Sequence, residues 1–165
     1  MATRRSACLG IGATAIAGVS WDRSPTLVQG DAVFAGTVCE ALGLLSGHWG
    51  WLVDTLDVIR AAEPGELPGD SLAGLLVRPN GYVAIMAPGI QGITYTASLI
   101  AHEAWHAHQH EQGRRYYGRL AEQEAWGMQA MALADLAPGH VAVPWLLGSI
   151  ATLPDGGPLP GNPEV

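Results

Sequence analysis

The chain has 165 residues, of which 48% are hydrophobic and 14% are charged. This length suits one domain with a modest core, and the composition excludes an intrinsically disordered chain. The formal net charge of -7 excludes the strongly basic surface that nucleic-acid binding requires. Two cysteines, Cys8 and Cys39, are too few for a disulfide framework.

The first twenty residues allow two interpretations. Arg4 and Arg5 precede an uncharged stretch rich in alanine and glycine, and residues 15–17 fit a small-x-small cleavage site. Residues 1–17 are therefore an export signal, or residues 1–20 are the first element of the fold. An exported and a cytoplasmic location stay equally open. No stretch of the sequence is long and apolar enough to span a bilayer as an ordinary helix.

The next segments predict a helix, a strand and a hairpin. Apolar residues at helical spacing predict a helix at residues 31–46, capped by Asp31 and ended by Gly47. The apolar run at residues 52–62 predicts a strand. Two further runs, at residues 72–77 and 82–87, flank Arg78-Pro79-Asn80-Gly81. Since Asn and Gly both tolerate positive φ, this pattern predicts a β-hairpin.

Two long helices follow, at about residues 96–112 and 119–136 by their periodicity. Thr94 or Thr96 is expected to cap the first, and Gly113 to end it. A shorter helix is expected at residues 141–152, and the Gly- and Pro-rich tail from residue 154 is expected to be disordered. These elements predict an α+β fold with one domain at residues 21–153. One face of the first long helix carries small side chains, which favours a central place in the core: Ala97, Ile100, Ala101, Ala104 and Ala107.

The other face of that helix carries a pattern typical of a metal site. His102 and His106 are four residues apart, so they project from one face, one turn apart. Two imidazoles at this spacing can hold one zinc ion. Glu103 lies about 100° around the helix from His102, beside such an ion and not on it. There it is suited to take a proton from water whose pKa the metal lowers.

Zinc requires a third protein ligand and an open fourth position. His110 would lie about 12 Å along the helix axis from His102, too far to share an ion, and His108 points to the other side. Glu122 and Glu124, on the next helix, are about 200° apart around it, so only one can face the metal. Glu122 belongs to a largely apolar stripe, where a carboxylate is costly unless it is paired or bound to metal. We therefore favour Glu122, with Glu124 as the alternative.

The sequence HEAWH at residues 102–106, followed by EQEA at residues 122–125, resembles the gluzincin group of zinc metallopeptidases. Small bacterial members of that group read HExxHxxQ and then ExxA, which Gln109 and residues 122–125 match. The similarity covers roughly residues 50–136. It implies a minimal zincin-like domain whose zinc ligands are His102, His106 and Glu122, with an edge strand of the hairpin along the substrate cleft.

One position departs from that group. Many relatives carry an acidic residue four positions after the glutamate ligand, and this chain has Trp126 there. The partner that orients a ligand histidine is then expected elsewhere, at Gln129 or at a backbone carbonyl.

The resemblance implies hydrolysis of a peptide or protein substrate, with Glu103 as general base. Tyr117, with Tyr116 beside it, is the candidate for stabilising the oxyanion, and Tyr95 and His140 are weaker candidates. Ordinary surface packing is the alternative role for the tyrosines. The alternative function of the whole chain is a catalytically silent zinc-binding or interaction module within a larger assembly. The sequence leaves the oligomeric state open.

Overall fold

The computed structural model describes residues 7–11, 14–21, 23–69, 71–90 and 92–152. They form one sheet and helices, which confirms the predicted α+β class. The strands are β1 (Ala7–Ile11), β2 (Thr14–Trp21), β3 (Arg23–Gly30), β4 (Val58–Ala61), β5 (Ala73–Arg78) and β6 (Gly81–Met86). The helices are α1 (Ala32–Leu45), α2 (Gly50–Val53), α3 (Ile93–Glu111), α4 (Arg119–Leu136) and α5 (Ala142–Thr152).

The sheet has the strand order β1-β2-β3-β4-β6-β5. Strand β4 runs parallel to both of its neighbours, β3 and β6, whereas the remaining pairs are antiparallel. The four neighbouring strands β3, β4, β6 and β5 therefore form the mixed parallel and antiparallel part of the sheet, and β5 lies at its edge. Helix α1 packs on α3 and β3, and α3 packs on β5, β6 and α4.

Helix α3 lies at the centre of the core, as its small side chains predicted. The five residues of that face are all fully buried: Ala97, Ile100, Ala101, Ala104 and Ala107. They pack with apolar residues of α1 and the sheet, among them Val38, Leu42, Ile59 and Met86. Because this face is held in the core, the opposite face of α3 is directed toward α4.

The structure confirms the predicted start of α1 and corrects the strand predicted at residues 52–62. Asp31 caps α1 by accepting a hydrogen bond from the backbone N–H of Phe34 at 2.8 Å. Residues 50–53, however, form the short helix α2, and only Val58–Ala61 is a strand. The buried side chains Leu52, Val53 and Leu56 show why, because their spacing fits one face of a helical turn and not the alternation of a strand.

The hairpin is confirmed, but its turn differs from the prediction. Arg78 pairs with Gly81, so Pro79 and Asn80 are the two turn residues. Among the described residues only glycines have positive φ, so Asn80 does not take the conformation expected of an Asn-Gly turn. Gly81, the first residue of β6, has a positive φ of 149°. The carboxylate of Asp57 lies against its Cα and accepts a hydrogen bond from the N–H of Tyr82 at 2.8 Å.

We expect Gly81→Ala to lower the free energy of unfolding by about 1–3 kcal/mol, the usual cost of holding a side chain in a strained backbone conformation. The new methyl group would also displace the Asp57 carboxylate. Chemical denaturation measures the change. Gly74→Ala in β5 is the matched control, because a Cβ there meets only Leu67 at 3.5 Å, an ordinary contact. Equal effects of the two substitutions would contradict the prediction.

The boundaries of the helices α3, α4 and α5 agree with the prediction except at the start of α3. Helix α3 begins after Gly92, so Thr94 and Thr96 lie inside it, and the expectation that one of them caps it was wrong. Gly113, with φ of 66°, ends α3 as predicted. Helix α4 has the predicted bounds, and α5 lies within the predicted residues 141–152.

The predictions for the chain ends remain predictions. Residues 1–6, the start of the possible export signal, lie outside the described residues, as does the tail from residue 154. The described part of residues 7–21 forms β1 and β2. None of the helices in the described part of the chain combines the length and hydropathy needed to cross a bilayer.

Candidate metal centre

Two histidines of α3 form one side of the candidate site. His102 and His106 are both buried, and their Nε2 atoms lie 3.1 Å apart. Their spacing of one helical turn places the two rings on the face of α3 that is directed toward α4, where they make an edge-to-face contact with ring centroids 4.8 Å apart. The helix is fixed by its alanine face, so the two imidazoles are positioned by the packing of the core.

Helix α4 brings Glu122 to the two histidines. Its Oε2 lies 3.4 Å from His102 Nε2, and its Oε1 lies 3.3 Å from His106 Nε2. Within the described residues these three side chains are the group that could hold a metal ion, with ligand atoms all within 4.8 Å of one another. We call His102, His106 and Glu122 the triad. The structure thus brings Glu122, and not Glu124, to the histidines.

The triad holds the donor atoms of a possible zinc site close together. Two imidazole nitrogens and a carboxylate oxygen are a known zinc ligand set that leaves a fourth position open. Ligand atoms bonded at about 2.0–2.1 Å to a tetrahedral zinc lie roughly 3.3 Å from one another. The two Nε2 atoms lie 3.1 Å apart, and they lie 3.4 and 3.3 Å from different oxygens of Glu122. With one ligand atom taken from each residue, the three atoms lie within 4.8 Å of one another.

The electrostatics of the triad favour a positive charge. Burial alone would raise the pKa of Glu122, but hydrogen bonds from His102 and His106 outweigh it, so that the pKa of this carboxyl lies well below its usual range. Burial alone would lower the pKa of His106, but its hydrogen bond to Glu122 and the nearby carboxylate charges raise the pKa overall. A proton or a metal cation would supply the charge that the triad stabilises.

Glu103 is buried beside the triad. Its burial raises the pKa of the carboxyl group, and the charge of Glu122 acts in the same direction. Positive charge on His102 and His106 acts against this shift without cancelling it. A carboxylate with a raised pKa is a stronger base near neutral pH than an exposed glutamate.

Gln109 is the partner that orients His106, a role for which the sequence suggested Gln129 or a backbone carbonyl. Its Oε1 lies 3.0 Å from His106 Nδ1, the ring nitrogen that faces away from the triad. Gln129 is instead hydrogen-bonded to the side chain of Tyr95. The spacing of three residues between His106 and Gln109 on one helix was the signal that sequence reasoning missed.

His102 has no comparable partner. Its Nδ1 is buried and makes no hydrogen bond to any residue that the structure describes. Trp126, at the position where many gluzincins carry an acid, stacks on Trp145 of α5 with ring centroids 6.0 Å apart. The two histidines of the triad therefore differ at Nδ1, which has a hydrogen-bond partner in His106 and has none among the described residues in His102.

Glu124 lies outside the triad but is connected to it. Its Oε2 accepts hydrogen bonds from Gln109 Nε2 at 3.0 Å and from Trp105 Nε1 at 3.3 Å. Its Oε1 pairs with the guanidinium of Arg114 at 2.6 Å. Glu124 therefore supports Gln109, which in turn contacts His106.

The other histidines occupy separate environments. His108 packs between Trp51 and Trp105, with ring centroids 5.6 and 5.2 Å away. His110 Nδ1 lies 2.9 Å from the hydroxyl of Tyr82. Both lie outside the triad, as the helical geometry predicted.

The tyrosines predicted to stabilise the oxyanion contact other residues than the triad. Tyr117 is 46% exposed, and its ring contacts Tyr116 and the guanidinium of Arg115. It lines an open cavity of about 320 Å³ at the end of α3, together with His110 and Arg114. The ring of Tyr95 stacks on that of His140 at 6.4 Å. The role of Tyr117 stays a prediction.

Comparisons with protein-family models, with curated proteins and with solved structures find no match to this chain. The likeness to gluzincins therefore rests on the residues themselves and on the triad that the fold assembles.

Proposed function

We propose that this chain is a zinc-dependent peptidase in which the triad holds one zinc ion and Glu103 is the general base. The observation that supports the proposal most is the convergence of two imidazoles and one carboxylate from two helices: the two Nε2 atoms lie 3.1 Å apart, and each lies within 3.4 Å of one oxygen of Glu122. A zinc ion held there would polarise a substrate carbonyl and bring the pKa of a bound water toward neutrality.

Glu103 would accept the proton that the attacking water loses. It follows His102 directly in α3 and is buried among the charges of the triad. Its carboxylate is free of the ligand role, because His102, His106 and Glu122 supply the three protein ligands that a catalytic zinc site requires. Having accepted a proton, Glu103 would be suited to return it to the leaving amine as a general acid.

The edge strand β5 favours an extended peptide as substrate. It lies at the end of the sheet order, with β6 as its strand neighbour, and it packs against α3, which carries the histidines. An extended chain binds such an edge through backbone hydrogen bonds, largely without regard to its sequence. This arrangement would place a peptide bond alongside the helix that bears Glu103.

A second candidate function is a zinc-binding module without catalysis. Two observations favour it, the buried Nδ1 of His102 without a described partner and the stacking of Trp126 on Trp145. A ligand histidine whose second nitrogen is unpaired holds metal less firmly than one that is hydrogen-bonded.

Zinc content and peptide cleavage together test the proposal. We expect about one zinc per chain by elemental analysis, and cleavage within a broad peptide library. The cleavage should stop with 1,10-phenanthroline and return with zinc but not with magnesium, which prefers oxygen ligands. Stoichiometric zinc without cleavage would favour the silent module. A chain that binds no zinc would contradict both functions.

A further inference from the structure

We infer that Glu124, acting through Gln109, fixes the tautomer of His106 so that its Nε2 lone pair faces the triad. Glu124 and Gln109 are positioning residues in this inference, since neither belongs to the triad. Its functional meaning rests on the proposed zinc site, but its geometry does not.

The first step is the orientation of the Gln109 amide. One end of this amide faces two oxygen atoms, the backbone carbonyl of Ala121 at 3.3 Å and the Glu124 carboxylate at 3.0 Å. Both of these oxygens act as acceptors, so the end of the amide that faces them must be the NH₂ group. A flipped amide would place three acceptors together and lose two hydrogen bonds. Glu124 and Ala121 thus turn the carbonyl oxygen of Gln109 toward His106.

The second step is the proton on His106. The carbonyl oxygen of Gln109 accepts and does not donate, so His106 Nδ1, 3.0 Å away, must carry a hydrogen. A neutral imidazole has one N–H, so Nε2 keeps its lone pair in the neutral ring, and a hydrogen bond donated from Nε2 to Glu122 belongs to the protonated ring. That nitrogen is the one that lies 3.1 Å from His102 Nε2 and 3.3 Å from Glu122. His106 is therefore set in the form that a metal ligand requires.

The third step is the support of Glu124 itself. Its carboxylate accepts from the guanidinium of Arg114 and from the indole N–H of Trp105, groups that can only donate. Every hydrogen bond along Arg114, Glu124, Gln109 and His106 then has a single possible direction. The chain of donors and acceptors begins at the exposed turn before α4 and ends at the buried ring of His106.

His102 provides an internal comparison. Its Nδ1 has no hydrogen-bond partner among the described residues, so no hydrogen bond at Nδ1 selects one of the two tautomers of His102. The effect of Gln109 and Glu124 should therefore be specific to His106.

Nitrogen-15 NMR of histidine-labelled, metal-free protein tests the inference directly. At a pH where the ring shifts show that His106 is neutral, we expect the proton on Nδ1 and a bare Nε2. Gln109→Leu and Glu124→Ala should both give a mixture of tautomers at His106. In chelator competition, Gln109→Leu should raise the zinc dissociation constant about 10–100-fold, the usual effect of losing a partner of a ligand histidine.

Two matched variants serve as controls. Gln129→Leu removes another buried glutamine. Gln123→Ala removes the residue next to Glu124 in the chain; the Nε2 of Gln123 donates to the carbonyl of Ile150 at 3.3 Å. Both should leave the tautomer of His106 unchanged. A neutral wild-type His106 with its proton on Nε2 would overturn the inference, whether or not any variant folds. The Nδ1–H form in a wild type that binds no zinc would support the inference while contradicting the zinc proposal.

Discussion

Glu103→Gln is expected to abolish nearly all peptide cleavage while leaving zinc binding intact. Glutamine keeps the shape of the side chain but cannot accept the proton that the attacking water must lose. General-base catalysis contributes about 10²–10⁴-fold to a rate, so the turnover number should fall by that factor. The zinc content should stay near one per chain, because Glu103 is not one of the three side chains that could hold the metal.

The stability of this variant separates a catalytic role from a structural one. Burial raises the pKa of Glu103, so its ionised form is already costly in this position, and a neutral amide of the same size should fit without loss. The melting temperature should therefore match that of the wild type. Cleavage by Glu103→Gln at the wild-type rate would refute the mechanism, even if the zinc site itself were established.

Glu122→Gln is expected to cost far more zinc affinity than Glu124→Gln. The first substitution replaces a carboxylate whose two oxygens lie 3.3 and 3.4 Å from the ligand nitrogens. The second changes a group that acts through Gln109, where losses are typically within about 10–100-fold. Elemental analysis after gel filtration should find zinc in Glu124→Gln and little in Glu122→Gln.

His106→Ala and His108→Ala form the corresponding pair on α3. The first removes a triad member, and the second removes a ring that packs between Trp51 and Trp105 without reaching the triad. Loss of zinc should follow the first substitution and not the second. If zinc were lost from Glu124→Gln but not from Glu122→Gln, or from His108→Ala but not from His106→Ala, the metal would lie elsewhere.

The sequence predicted best what depends on periodicity. The face of α3 that carries Ala97 and Ala104, the spacing of His102 and His106, and the bounds of α4 all follow from the helical repeat. The phase of α4 also favoured Glu122 over Glu124 as the residue that faces the histidines. Such features are local, so neighbouring residues determine them.

The features that escaped prediction depend on contacts between distant parts of the chain. Residues 50–53 form the helix α2 and not a strand, and the hydroxyl of Thr55 just after it donates to the carbonyl of Leu52 and to that of Ala104 in α3, at 2.8 and 3.2 Å. The role of Gln109 depends on Glu124, which lies 15 residues away along the chain. Neither partner is evident from spacing alone, since each requires the packed arrangement of the helices.

The alanine face of α3 also limits how this sequence can change through evolution. Within residues 102–109, packing and the candidate chemistry alternate almost residue by residue. His102, Glu103, His106 and Gln109 are committed to the site, while Ala104 and Ala107 are fully buried and leave no room for a larger side chain. Substitutions in such a segment are therefore tolerated less often than substitutions in a loop. Homologues that lose the chemistry would keep these alanines, and homologues that keep it would vary mainly on other elements.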